Sequence, residues 1–186
     1  MTSRLDTTNF TPAEHQHIGH QLAGFHTHCC ELNRLLSRAY PVRHPICTAC
    51  YSAVEDGLFA FRCNLEILAH HDHPAIDLHY AFHPNGQEDY RQPPNLPGCT
   101  DPETRQLAES LHRRSLKREK DPLTAQELAI VVRCYHHINE TVTAILDRVQ
   151  VDRKKLGDIT ALSLTAEIIR NALTALQREE QRVNHG

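Results

Sequence analysis

No stretch of this chain approaches the roughly 20 consecutive apolar residues that a membrane span requires. Positive charge is not in excess either: 20 Lys and Arg stand against 23 Asp and Glu, a formal net charge of -3. Without a strong basic field, neither a nucleic-acid nor a membrane partner is expected. Glycine is sparse, at seven residues. There is no GxGxxG, no phosphate-binding loop, no GxSxG and no HExxH, so the familiar nucleotide, hydrolase and metalloprotease signatures are missing. Met1 to Phe10 has no apolar run of the kind a secretory signal carries. The seven cysteines are an odd number, scattered and partly on apolar faces. They read as reduced thiols of a cytoplasmic protein rather than a disulfide framework.

What the chain has in excess is histidine, 15 residues in 186, against no Trp and one Met. Hydrophobic content of 40% and charged content of 23% are ordinary for a folded domain. That length can bury a core without staples.

The patterning is helical. Thr11-Pro12-Ala13-Glu14 combines an N-cap, a Pro at the first helical position and a capping-box Glu. His15, Ile18, Leu22, Phe25, Cys29, Leu32 and Leu36 then repeat at steps of three and four, predicting a helix to about Tyr40. A second helix starts near Ile46. Its stripe is Cys47, Cys50, Val54, Leu58, Phe61, Leu65 and Leu68, with Phe59, Cys63 and Ile67 on another side. His73-Pro74 ends it. Ile76, Leu78, Tyr80 and Phe82 alternate with Asp77, His79, Ala81 and His83, so this stretch is read as an extended segment or one more short helix.

Asp101-Pro102 opens a third, polar helix carrying Leu107, Leu111 and Leu116. Thr124-x-x-Glu127 is a second capping box before the Leu128–Val149 stripe. Gly157-Asp158 precedes a last stripe from Ile159 to Leu176, and the polar tail after it is expected to fray.

The expected fold class is all-α: an antiparallel helical bundle of four long helices plus one short helix, with a Pro-rich irregular crossover. Residues 1–186 form one domain, with a first helical hairpin at 12–73, the crossover at 74–100 and a second helical part at 101–183.

A hairpin turning near Arg43 sets His70 level with Gln16. Glu14, His15 and His17 then share one bundle end with Glu66, His70 and His73. Imidazole and carboxylate from neighbouring helices are how bundle metal sites are built, so these six are the candidate ligands for zinc, nickel, copper or iron. Glu66 and His70 are four apart and meet on one helix face. His79 and His83 could chelate one metal on a helix. On a strand they would lie about 13 Å apart and could not. His26 and Cys30 also have ligand spacing. Cys47-x-x-Cys50 lacks a second pair at its level, since Cys29-Cys30 lies about 15 Å away along the axis. Both thiols sit on the apolar stripe, where cysteine acts as a small hydrophobe. His136-x-x-x-Glu140 and His79-x-x-x-His83 resemble the paired ligand spacings of hemerythrin-like di-iron bundles. The resemblance covers those spacings alone. Their order is reversed, and the last helix has no His-x-x-x-x-Asp, so no function is carried over.

Three functional expectations follow. The first is a transition-metal-binding bundle. The second is a non-enzymatic interaction or assembly module, a homo-oligomer or one docking a helical protein partner through the two-sided second helix. The third, ranked last, is an enzyme using metal-bound water.

Overall fold

A computed structural model describes residues 10–83, 101–117, 120–152 and 158–185. The described residues are almost entirely helical and contain no strand, which makes the protein all-α. No helix among them is long and apolar enough to cross a membrane. Most of the crossover, residues 84–100, lies outside the described residues, as does Gly157.

Helix α1 spans Pro12–Ala39. Its capping box forms as the sequence predicts: the Thr11 amide donates to Glu14 at 2.7 Å, and the Glu14 amide donates to Thr11 Oγ1 at 3.3 Å. The whole predicted stripe from His15 to Leu36 is buried. The second helix is continuous but has three windings, with α2 over Pro45–Ser52, a π-helical segment over Ala53–Phe59 and α3 over Ala60–Asp72. All seven residues of its main stripe are buried, while Phe59 and Ile67 on the other side are exposed. Gly57 sits in the π segment against α7. A Cβ there would lie 2.9 Å from Ile169 and 3.4 Å from the Thr165 carbonyl, so the missing side chain sets this close helix approach.

The alternating stretch after His73 resolves into one short helix, α4, over His79–Phe82. Leu78, Ala81 and Phe82 face the core, and Ile76 and Tyr80 face solvent. A strand would have turned Ile76, Leu78, Tyr80 and Phe82 to one side, whereas the helical turn buries Leu78, Ala81 and Phe82 at steps of three and four. α4 lies on α1 at Gly19, where a Cβ would meet the Ala81 carbonyl carbon at 2.9 Å, its oxygen at 3.0 Å and the Phe82 amide at 3.1 Å.

Helix α5 spans Pro102–Lys117, α6 spans Ala125–Asp152 and α7 spans Asp158–His185. The α5 face differs from the predicted one: Thr104, Ala108, Leu111 and His112 are buried and Leu116 is exposed. The tail does not fray as expected. Helix α7 continues to His185, and Glu179 within it is buried, held by Arg182 at 2.6 Å and within 3.8 Å of His44. Helix packing closes a circuit: α1 touches the second helix, which touches α7, then α6, then α5, which returns to α1. The second capping box is also present, with Glu127 accepting from the Thr124 amide at 2.8 Å and from the Arg114 guanidinium.

Candidate metal centre

The six residues expected at the bundle end separate into distinct environments. Glu14 is taken up by its cap and by Arg148, 2.9 Å away, which holds its carboxyl down at about 2. His15 is fully buried on the α1 stripe, 3.4 Å from Asp72 at the end of α3, and burial pushes its imidazole below the ordinary range. His73 Nε2 donates to the Phe10 carbonyl at 3.0 Å, and its ring lies edge-on to His15 at 5.6 Å. His15 and His73 therefore meet at one end of the molecule. His17 and His70 are both exposed. Glu66 turns instead toward α4.

There it meets the spacing noted in the crossover. Glu66 Oε1 accepts from His79 Nδ1 at 2.7 Å, and Oε2 accepts from His83 Nε2 at 2.8 Å. The two imidazoles lie nearly parallel, 5.0 Å apart, as one helical turn places residues four apart. Donor atoms from all three residues lie within 4.8 Å of one another, and this is the sole such group of three among the described residues. The site is placed by two packing events. Leu78, Ala81 and Phe82 anchor α4 in the core, and Gly19 lets its backbone sit down on α1.

A tetrahedral centre with bonds of about 2.0–2.1 Å spaces its donors about 3.4 Å apart. Both hydrogen bonds are shorter than that, so holding an ion here would require the two contacting imidazole nitrogens to be free of their protons and the Glu66 carboxylate to stand about half an ångström further from them. Two imidazoles and one carboxylate suit zinc or ferrous iron and leave coordination positions open. His79, with more than half its side chain exposed, gives access from solvent.

Behind the site lies a buried guanidinium. Arg62 is only 7% exposed, packs its charge over the Phe59 ring at 5.3 Å and approaches His83 Nδ1 at 3.4 Å. Arg62 can only donate, so Nδ1 of His83 accepts and its Nε2 carries the proton given to Glu66. His26 stands beside this group, with its ring 5.8 Å from Phe59 and its Nε2 4.0 Å from Cys30 Sγ. Burial, together with the nearby Arg62 and His83, lowers its pKa to about 4. The spacing of His26 and Cys30 was visible in sequence. The position of Arg62 was not, because nothing local marks a buried arginine.

The remaining pairs read as structure. His136 and Glu140 form an exposed pair at 3.3 Å on α6. Cys29, Cys47, Cys50 and Cys134 are buried free thiols. Burial pushes Cys50 up to about 12 and Cys29 higher still.

No family model, curated protein or solved structure matches the chain.

Proposed function

We propose that the protein binds a divalent transition-metal ion, zinc or ferrous iron, through Glu66, His79 and His83. The observation that supports this most directly is the convergence of three metal-ligating donors from two elements within 4.8 Å. Convergence of this kind across 13 and 17 residues of sequence needs tertiary packing, so it does not follow from histidine content alone. Three protein ligands with open positions are the arrangement in which a bound water can be activated, so a hydrolytic or oxidative enzyme built on this site is the extension of the reading.

The test is elemental analysis of untagged protein purified without chelator or nickel resin, followed by titration with cobalt as an optical reporter. One equivalent of metal, lost in Glu66→Gln and in His79→Gln, supports the site. Metal-free protein with no cobalt spectrum ends the proposal. Loss on His70→Ala with Glu66→Gln unaffected moves the ion to the originally expected bundle end.

The exposed Ile67 favours a second reading, a homo-oligomer or a helical partner on the outer side of the second helix. Sedimentation that shows a monomer for the native chain and for Ile67→Lys alike removes it. We also propose that the four long helical stretches run antiparallel. The approaches of His15 to Asp72, Cys47 to the Leu36 carbonyl and His44 to Glu179 each join the start of one long helix to the end of another.

A further inference from the structure

Glu66, His79 and His83 bring three donors together, and a tetrahedral ion takes four. The path of the chain shows where a fourth is nearest. The backbone turns after α3, where the Ile76 amide donates to the His73 carbonyl at 3.0 Å, and α4 then runs back along α3. His83 is the far end of that return. Its ring approaches Arg62 at 3.4 Å and Phe59 at 6.2 Å, one and two turns before Glu66. His79 therefore lies on the other side of Glu66, toward the end of α3. The next turn of α3 in that direction carries His70, four residues from Glu66 and on the same face. His70 is exposed, and among the described residues no hydrogen bond or ion pair holds its ring. A histidine can span such a step: on α6, His136 reaches Glu140 four residues away at 3.3 Å. His71 is equally exposed but stands about 100° further round the helix. Cys63, three residues before Glu66, is half-buried on the side of the Arg62 guanidinium, whose fixed positive charge opposes an ion there.

We infer that His70 is the fourth ligand, its ring turning in from solvent to close the sphere around an ion held by Glu66, His79 and His83. The inference rests on the metal reading and narrows it. Glu66 and His70 come from α3, and His79 and His83 from α4 and its C-cap, each pair four residues apart. Two pairs of this kind form a clasp that fastens the last turns of α3 to α4. A sphere filled by four side chains leaves no position for water, so a hydrolytic reaction at this ion would need one ligand to leave. His79, with more than half its side chain exposed, marks the open side from which the His70 ring enters.

The experiment is a cobalt titration of the full untagged chain, followed by visible and near-ultraviolet absorption, in the native protein and in His70→Ala, His71→Ala and Cys63→Ala. The native protein should bind one equivalent with a spectrum that azide does not shift, because a filled sphere offers it no position. His70→Ala should bind at least about tenfold more weakly, a loss that even an outer-shell partner commonly causes. Its spectrum should shift with azide, and millimolar imidazole should restore its affinity, which a merely structural role for an exposed side chain would not produce. His71→Ala should match the native protein. His70→Ala that matches the native protein, a native spectrum that azide shifts as far as the variant's, or a near-ultraviolet sulfur band lost in Cys63→Ala each overturns the assignment of His70 and leaves the three-donor site standing. Native protein that takes up no cobalt overturns the three-donor site and the fourth ligand together.

Discussion

Replacing Gly19 by alanine tests how the candidate metal centre is held in place. The new methyl would lie 2.9–3.1 Å from backbone atoms of Ala81 and Phe82. Ordinary carbon contacts begin near 3.5 Å, so α4 must retreat by roughly half an ångström or more. Its anchors resist, because Phe82 is fully buried and Ala81 nearly so. Forcing a methyl into a packed contact costs about 1–3 kcal/mol. Against that, alanine is better than glycine inside a helix by about 1 kcal/mol. The net expectation is a loss of about 1 kcal/mol. Gly24, one and a half turns along the same helix, is the internal control. A Cβ there meets nothing within 4 Å, so Gly24→Ala should stabilise by about 0.5–1 kcal/mol. Urea denaturation followed by circular dichroism separates the two signs. The same displacement carries His79 and His83 away from Glu66, so Gly19→Ala should also weaken cobalt binding while Gly24→Ala leaves it unchanged. If the two variants are equally stabilised and bind cobalt alike, α4 is not seated on Gly19 and the account of how the site is positioned fails.

Three further perturbations follow from the same geometry. The folded state holds His26 at about 4 against an ordinary 6.5, so between those values the unfolded chain binds more protons and stability falls as pH falls. With partial screening by solvent the loss should reach about 2 kcal/mol near pH 4, and His26→Asn should lack that component in paired denaturation curves. Arg62→Leu removes the donor that holds His83 with its proton on Nε2, so cobalt affinity should rise about tenfold, and an unchanged affinity would show that Arg62 does not compete with the ion. Arg114→Met strands the buried Glu127 carboxylate and should cost about 2–3 kcal/mol, whereas Arg133→Met, whose partner Asp101 is half exposed, should cost about 1 kcal/mol or less by the same denaturation assay.

The sequence was most legible where the information is local. Thr11-Pro12 with Glu14 and Thr124 with Glu127 announce their helices because caps are satisfied within three residues. The Leu22-to-Leu36 and Cys47-to-Leu68 stripes are buried as read, since a helix can turn only one periodic face to a core. His70 was expected level with Gln16, and the structure brings the neighbouring His15 within 3.4 Å of Asp72. Direction was the harder quantity. Glu66 was assigned to the bundle end by level, but a helix face is shared by several levels, and the partner arrived from outside the helix pair. His79 and His83 were recognised as a chelating spacing only on a helix, and helix or strand could not be decided from one turn. The buried Arg62 and the π winding have no local signature, because each exists through contacts with residues distant in sequence.

The π segment has one more consequence, for how the chain tolerates changes of length. A π winding holds surplus chain inside a helix whose two ends stay docked, here with Cys47 on the Leu36 carbonyl and Asp72 beside His15. Removing one residue from an ordinary helix swings everything downstream by about 100°. Removing one at the exposed Glu55 or Asp56 lets the widened turns tighten to an α-helix instead, with Phe61, Leu65 and Leu68 still facing inward. The second helix thus carries slack at its middle.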